Sequence, residues 1–316
     1  MEDLLIRLIK FFGTTDEYGA TNIAKVSKYQ KVLRRVESTK KDTSVEVIEN
    51  NGADVMQDTD PSGIVMQEAK IIGFGINIFN EDIYPLKSFE IYLRGCNLIG
   101  TLDVTDAPDM KFLDIYHNKI TAVKTGNMPS MRIFGVQDNL LEELDVTGMP
   151  SVQGIDAGKN NLKKLDVSKN SELVELYVND NKFTSIDISH NPKLKYFYCH
   201  NNKIKKLDAT ANPLLRHLDA TGNQMSSIRA LAPKNDKKLP LELTAGDGGY
   251  VGLKFNPVYD AQWKETGKWE QCYYAYPKRG YRFAGWYENG VKVSDEETLA
   301  DTFGNSRVLT AEFEKK

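Results

Sequence analysis

The sequence predicts a repeat solenoid with a curved parallel β-sheet, an N-terminal cap of helix and strand, and a small β-rich C-terminal domain. Two regularities predict the solenoid: an apolar residue recurs every 21 positions, and an asparagine follows each one eight positions later. The C-terminal domain is indicated by a change in composition, because all three tryptophans follow residue 240. The apolar markers are Phe89, Met110, Met131, Val152, Leu173, Leu194 and Leu215, and the asparagines are Asn97, Asn118, Asn139, Asn160, Asn181, Asn202 and Asn223.

Each unit shows the same apolar spacing, as in Leu173-Val-Glu-Leu176-Tyr-Val178-Asn-Asp-Asn181. This is the Leu-x-x-Leu-x-Leu-x-x-Asn pattern of a leucine-rich repeat. The second half of a unit, such as Ile186-Asp-Ile-Ser-His-Asn-Pro, resembles the short repeats of bacterial surface and secreted proteins, a group that includes the internalins. The resemblance implies an extracellular or cell-surface binding protein.

Seven such units of 21 residues occupy residues 88–232. One unit is a strand plus a return loop and cannot bury its apolar face alone, so we expect neighbouring units to stack. With the marker as position 0, positions 0, 3, 5, 10 and 13, and often 15, should point inward. Six aliphatic side chains per unit would contribute on the order of 10 kcal/mol, against a comparable ordering cost.

Polar residues at fixed positions have an architectural explanation. The asparagine at position 8 follows the strand, where a tight inward turn exposes backbone groups that a short amide can satisfy. Stacked asparagines should form a ladder. The aspartates of the Leu-Asp-Val-Ser segments, such as Asp145 and Asp166, recur in most units, which favours a role in turns over a calcium site.

Residues 1–87 are predicted to form the N-terminal cap region. Apolar residues at three- and four-residue steps predict a helix at about 21–37, with a basic opposite face that we expect to lie in water. An Asn-Gly dipeptide predicts a hairpin at about 44–57. The isoleucine-rich segment at about 70–79 is out of register with the repeats and is interpreted as a capping strand.

Residues 241–316 are predicted to form a separate β-rich domain after a charged, proline-containing boundary. The segment Gly280-Tyr281-x-Phe283-x-Gly285-Trp286 resembles the B-repeats of internalin-type and other bacterial surface proteins. The resemblance implies a spacer or stalk that holds the solenoid away from the cell wall.

Composition excludes several function classes. The net charge of -3 provides no global field for nucleic acid or an anionic membrane, and we expect no membrane insertion. The apolar run at 4–12 is short, is interrupted by Arg7 and Lys10, and lacks a small-residue cleavage site, so an export signal is not expected in this chain. Three cysteines without metal spacing predict neither a disulfide framework nor a metal site. We expect a monomer.

The candidate binding site lies on the predicted concave face of the sheet, at positions 2, 4, 6 and 7 of each unit. Seven strands about 4.8 Å apart make a face about 30 Å across. Aromatic and histidine side chains that serve no core suggest a surface for a protein or glycan on a host or neighbouring cell. Between two such groups, Gly135, Gly154 and Gly158 predict a shallow depression. The candidate residues are Phe112, Tyr116, His117, Tyr177, Tyr196, Tyr198, His200 and His217.

Two other interpretations remain open. Cross-strand aromatic pairs can simply stabilise a sheet face, in which case the protein is a structural spacer without a specific ligand. A metal-dependent hydrolase using His200 and His217 is geometrically possible, but no nucleophile faces the same side and no HExxH-type motif is present. We therefore predict a non-enzymatic binding or adhesion protein without a cofactor or metal.

Overall fold

The computed structural model describes residues 36–37, 68–71, 89–92, 94–95, 98–105, 107–232, 240–301 and 307–316. These residues form strands, turns and loops, and none of the described segments is a helix long and apolar enough to span a membrane. In chain order the strands are β1 (Val36–Glu37), β2 (Glu68–Ile71), β3 (Phe89–Tyr92), β4 (Ile99–Asp103), β5 (Met110–Asp114), β6 (Lys119–Lys124), β7 (Ile133–Gly135), β8 (Gly154–Asp156), β9 (Glu175–Tyr177), β10 (Tyr196–Tyr198), β11 (Lys206–Asp208), β12 (His217–Asp219), β13 (Ser227–Leu231), β14 (Pro240–Ala245), β15 (Gly249–Tyr259), β16 (Glu265–Pro277), β17 (Tyr281–Glu288), β18 (Val291–Ser294), β19 (Thr298–Asp301) and β20 (Val308–Lys315).

One strand from each of the seven units joins a parallel sheet in the order β3, β5, β7, β8, β9, β10, β12. Most pairs keep the 21-residue register, for example Tyr196 opposite Glu175 and His217 opposite Tyr196. The predicted solenoid and its parallel sheet are therefore confirmed. Because residues 21 apart lie side by side, the repeat also decides which side chains become cross-strand neighbours.

The inward positions form the core as predicted. In the unit from Leu173, the side chains of Leu173, Leu176, Val178 and Phe183 are fully buried, and Ile186 packs partly buried against them. In the following unit, which begins at Leu194, Cys199 occupies an inward position and is completely buried. Each unit thus stacks its apolar half directly on that of its neighbours.

The asparagines at position 8 form the expected ladder. Asn160 Oδ1 accepts a hydrogen bond from Leu141 N in the preceding unit at 3.0 Å. Its Nδ2 donates to Val136 O of the preceding unit and to Ala157 O of its own unit. In the units from Met110 onward, the residue before each ladder asparagine has a left-handed backbone, as at Lys159 with φ of 50°. The ladder therefore fixes the end of each strand to the unit before it.

A second, fully buried ladder was not predicted. Asn170, Asn191 and Asn212 lie just before successive markers, and each Nδ2 donates to two carbonyl oxygens of earlier units. The recurring aspartates cap turns, because Asp145 Oδ1 accepts hydrogen bonds from the N–H and hydroxyl of Thr147. These polar rows hold the return segments in the same register as the strands.

The N-terminal cap is described only in part. Val36 and Glu37, the last residues of the predicted helix, instead form β1, which pairs antiparallel with β2. Strand β2 begins at Glu68 and overlaps the predicted capping strand, and it pairs in parallel with β4 of the return segments. The rest of the predicted helix, the hairpin at 44–57 and residues 72–79 lie outside the described residues.

The C-terminal β-rich domain continues the solenoid rather than standing apart from it. Strand β15 pairs antiparallel with β12, the last repeat strand, and β16 and β19 extend the same sheet to ten strands. On the other side, β14 pairs with β13 to form a six-stranded sheet with β11, β20, β17 and β18. Leu218 and Phe255 lie opposite each other across the junction, and both are fully buried in one shared core.

Candidate functional site

The open face is the surface of the ten-stranded sheet that points away from the core. In the repeats it is formed by positions 2, 4, 6 and 7, which flank the buried residues at positions 3 and 5. Tyr177 and Tyr198 flank fully buried side chains in their strands and are themselves half-buried. Alternation along each short strand therefore displays the predicted site residues on one surface.

Five of the predicted site residues lie together on β9, β10, β12 and the turn after β10. The Tyr177 and Tyr198 rings stack with their centroids 5.2 Å apart and their planes at 16°. The Tyr196 and His217 rings stack at 4.4 Å and 17°. His200 meets Tyr198 edge-on at 6.4 Å. Two stacked rows thus cross neighbouring strands, as the 21-residue register requires.

The row through Tyr196 and His217 continues into the C-terminal domain. Tyr259 stacks on the other face of His217 at 6.4 Å and 8°, and Trp263 follows at 6.4 Å from Tyr259. Sandwiched in this way, His217 is only 9% exposed. Its imidazole supports the row from inside, whereas it was predicted to present its ring to a ligand.

Trp263 is the most exposed large apolar side chain of the described residues, at 85%. It lies in the turn between β15 and β16, where Asp260 Oδ1 accepts hydrogen bonds from Gln262 N and Lys264 N. Trp263 itself has a left-handed backbone, with φ of 58°. The Asp260 side chain therefore fixes a tight turn that holds the indole in solvent beside the repeats.

An ion pair and a cation–π contact secure this hairpin to the solenoid. Arg216 Nη2 lies 2.6 Å from Glu265 Oε2, and the Arg216 guanidinium lies 5.7 Å from the centroid of the Trp269 ring. Further along the sheet, the Tyr276 hydroxyl accepts a hydrogen bond from Gly222 N, and the Tyr274 and Tyr276 rings stack at 6.3 Å. The C-terminal domain thus adds aromatic side chains to the open face.

Phe112, Tyr116 and His117 form a separate group at the other end of the repeats. Phe112 is half-buried on β5, and the Tyr116 and His117 rings lie 5.7 Å apart after that strand. His117 Nδ1 lies 2.6 Å from Asp138 Oδ2 of the next unit. Strands β7 and β8 separate this group from the larger aromatic cluster, so the structure does not bring the two together.

The centre of the open face, around Gly135, Gly154, Asp156 and Gly158, is partly covered by side chains of neighbouring strands. Gly154 and Gly158 are buried, so the predicted shallow depression is filled at these two positions. A Cβ at Gly154 would lie 2.9 Å from Ile133 Cδ1, and one at Gly158 would lie 2.9 Å from Asn179 Oδ1. The neighbouring Asp156 side chain is half-buried and accepts a hydrogen bond from Gly158 N at 3.2 Å. A carboxylate, rather than an apolar group, is therefore displayed at this position.

The electrostatics of this centre are unusual. Burial, together with the charges of Asp114 and Glu175, raises the pKa of Asp156 to about 6, although the Gly158 hydrogen bond and the charge of Arg94 oppose the shift. Burial, and then the charge of Glu175, also raises the pKa of Tyr177, whose hydroxyl donates to Glu175 Oε2 at 3.3 Å. Three carboxylates on β5, β8 and β9 thus act on one another.

The two histidines of the hydrolase hypothesis have different surroundings. His200 Nε2 lies 3.8 Å from Asp180 Oδ2, and His200 Nδ1 lies 3.8 Å from Asp219 Oδ2. His217 is enclosed by tyrosine rings, and burial is the main cause that lowers its pKa, followed by the Arg216 charge. Within the described part of the chain, no three His, Cys, Asp or Glu side chains are grouped to hold a metal ion.

Comparison with known families identifies the repeat itself. A family model for leucine-rich repeats in two copies matches residues 171–214. The chain contains leucine-rich repeats. The match covers the strands and turns that carry Tyr177, Tyr196, Tyr198 and His200.

Two solved leucine-rich-repeat structures are similar to the chain. One is a leucine-rich-repeat protein of Leptospira interrogans, with 18% identity over 43% of this chain and 44% of that chain, and a TM-score of 0.33. The other is the functional domain of InlJ from Listeria monocytogenes, which includes a cysteine ladder, with 15% identity over 69% of this chain and 55% of that chain, and a TM-score of 0.37. This chain spans about half the length of each. No curated protein matches it.

Proposed function

We propose that this leucine-rich-repeat protein is a non-enzymatic binding or adhesion protein whose open face recognises a protein or glycan on a host or neighbouring cell. The observation that carries the proposal is the aromatic row from Tyr196 through His217 and Tyr259 to Trp263. Rings in this row cross from the last repeats to the C-terminal hairpin. A surface made by two parts of the chain is well suited to a macromolecular ligand.

The physical support is the combination of rigidity and exposure. A tyrosine or tryptophan ring contributes large contact area at a small cost in conformational entropy, and such residues dominate the binding energy of many interfaces. Stacking already immobilises Tyr196 and Tyr198, while their remaining edges stay accessible. Trp263 adds an almost fully exposed indole in a turn that Asp260 fixes.

We place the protein outside the cell or on its surface, because both sequence modules resemble those of bacterial surface proteins. The C-terminal domain closes the open end of the solenoid and contributes Tyr259 and Trp263 to the face. This position gives it a role in the site itself. We propose that the same domain also acts as a spacer that holds the solenoid away from the cell wall.

The experiment compares variants in a binding screen against intact cells and a glycan array. The Tyr177→Ala/Tyr196→Ala/Tyr198→Ala variant and Trp263→Ala should each lose binding, by about tenfold or more if these rings are hot spots. The matched control is Leu140→Ala/Leu214→Ala, which removes two other exposed apolar side chains, 47% and 44% exposed. Circular dichroism should show all variants folded. Unchanged binding by both aromatic variants would refute the proposal.

A second candidate is a structural spacer, and one observation favours it. The Tyr177 and Tyr198 rings face each other at 16°, so part of their surface stabilises the sheet rather than awaiting a ligand. In that case the triple tyrosine variant would lose stability, and the wild type would bind nothing in the screen. The Trp263→Ala variant separates the two candidates. Because this side chain is exposed, its removal should leave stability unchanged, so a loss of binding in this variant supports the binding protein and not the spacer.

A further inference from the structure

The open face of the repeats is acidic although the repeats are not. Residues 110–232 contain 16 lysines and arginines and 13 aspartates and glutamates. Positions 2, 4, 6 and 7 of their six units hold six carboxylates and a single lysine, Lys159. The carboxylates are those of Asp114, Asp138, Asp156, Glu175, Asp180 and Asp219. Charge is therefore segregated, with almost all basic side chains on other surfaces.

Most of these carboxylates already have partners within the chain. Arg94 Nε donates to Asp114 Oδ2 at 2.6 Å, and Asp138 pairs with His117. Asp180 accepts hydrogen bonds from Asn179 and Asn201, and Asp219 accepts them from Thr221. These contacts leave the centre of the face as the place where negative charge is least compensated.

At this centre, Asp156 and Glu175 are held on adjacent strands. Gly154 lies opposite Glu175, and Asp156 lies opposite Tyr177, so the two carboxylates are diagonal neighbours. Among the described residues, the Asp156 side chain accepts one hydrogen bond, from a backbone N–H, and receives none from a cationic group. Burial is the main cause of its raised pKa, and the charges of Asp114 and Glu175 add to the shift that the Arg94 charge opposes.

The rest of the centre suits an organic cation. Tyr177 and Tyr198 place their hydroxyls beside the carboxylates, and the ring face that the stacked neighbour does not cover attracts lysine and arginine side chains. The chain itself places a guanidinium on the neighbouring carboxylate, since Arg94 pairs with Asp114. An anionic ligand would be repelled from the same position.

We propose that the open face binds a basic polypeptide segment of a partner protein, with a lysine or arginine side chain paired to Asp156 and Glu175 beside Tyr177. This inference rests on the proposed function and names the ligand class. The partner's cation replaces the missing counter-charge at the centre of the face. Flanking basic residues of the same segment meet the negative potential of the remaining carboxylates.

The test uses two capped decapeptides as probes, one alternating lysine with serine and one alternating glutamate with serine, together with an array of neutral oligosaccharides. Binding is measured by titration calorimetry at pH 7.5 with the wild-type chain. The lysine peptide should bind, and the glutamate peptide should not. Affinity for the lysine peptide should fall with rising salt, because the interaction is between charges.

Two charge-neutralising variants localise the binding. Asp156→Asn/Glu175→Gln should weaken lysine-peptide binding by about tenfold or more, because it removes both central carboxylates without changing their shape. Glu142→Gln/Glu143→Gln removes the same charge from two exposed residues of a return segment and should change affinity less than about twofold. Equal losses in both variants would mean general attraction to an acidic protein and would overturn the inference.

The remaining outcomes separate this inference from the proposed function. If the lysine peptide does not bind, but oligosaccharides bind and lose affinity in the triple tyrosine variant, the inference is overturned and the proposed function stands. If neither probe depends on the tyrosines or on the central carboxylates, both are overturned. If the lysine peptide loses affinity for the carboxylate variant and for the triple tyrosine variant, but not for the Glu142→Gln/Glu143→Gln control, both the inference and the proposed function are supported.

Discussion

The imidazole of His217 lies between two tyrosine rings, 4.4 Å from Tyr196 within the repeats and 6.4 Å from Tyr259 in the C-terminal domain. The three rings are nearly parallel, at 17° and 8°. Tyr196 and His217 are 21 residues apart and meet because of the repeat period, whereas Tyr259 arrives through antiparallel pairing. One side chain thus couples the two halves of the face.

We expect protonation of His217 to destabilise the fold. Burial lowers its pKa from the ordinary value of 6.5, so the folded state binds fewer protons than the unfolded state just below that pH. The associated stability is present above pH 6.5 and is lost as the pH falls through the folded-state pKa. Urea unfolding at pH 7.5 and 5.5 should show a smaller loss for His217→Gln than for wild type. An equal loss in both proteins would contradict the prediction.

Asp156 should have the opposite pH dependence. Its pKa is raised to about 6 from the ordinary 3.8, so the folded state is destabilised as the pH rises from about 4 through 6. Asp156→Asn should therefore stabilise the protein at pH 8 by about 1–2 kcal/mol, allowing for partial exposure, with little effect at pH 4. Chemical denaturation at both pH values measures this. The control Asp109→Asn changes an exposed carboxylate, and a similar gain there would refute the assignment.

The first asparagine ladder should be essential to stability. Asn160→Ala would leave Leu141 N without its side-chain acceptor. Val136 O and Ala157 O would each lose one of two amide donors and keep the Nδ2 of Asn139 and of Asn181. The unpaired buried N–H, together with the lost amide hydrogen bonds, should lower the free energy of unfolding by about 2–4 kcal/mol. Asn161→Ala, one residue along the chain, is the matched control and should change stability by less than about 0.5 kcal/mol. Similar unfolding midpoints for the two variants would contradict this.

The repeats and the C-terminal domain should unfold together, because Leu218 and Phe255 belong to one core. All three tryptophans lie in the C-terminal domain, so their fluorescence reports on that domain and on its contact with the repeats at Trp269. Phe183→Ala, within the repeats, should lower stability by about 3–5 kcal/mol and shift the fluorescence midpoint as much as the circular dichroism midpoint. Two separate transitions would show instead that the domain folds independently.

The sequence was sufficient for those parts of the fold that recur. The 21-residue period determined the strands, the inward side chains and the Asn160 ladder, because every unit repeats the same local pattern. It also placed Tyr177 beside Tyr198 and Tyr196 beside His217 on the open face. The repeat pattern could not predict which strands pair with the first and last repeats.

The parts of the fold that the sequence did not predict depend on contacts that do not recur from unit to unit. Tyr259 and Trp263 join the site through the pairing of β12 with β15, which has no periodic signal, and through the Asp260 turn. The covering of His217 follows from the same pairing. The strand at Val36 and Glu37 replaces predicted helix because it pairs with β2, a partner that helical periodicity does not take into account.

The antiparallel strand β15 ends the run of parallel strands that begins with β3. A parallel stack can be lengthened by duplicating a unit, but a new unit cannot be added after β12 without breaking its hydrogen bonds to β15. Duplication of a unit would therefore lengthen the repeats ahead of β12. Each inserted unit would move the Asp156 centre and the Trp263 hairpin apart by about 4.8 Å if it lay between them, so ligand length could evolve in fixed steps while both ends stayed the same.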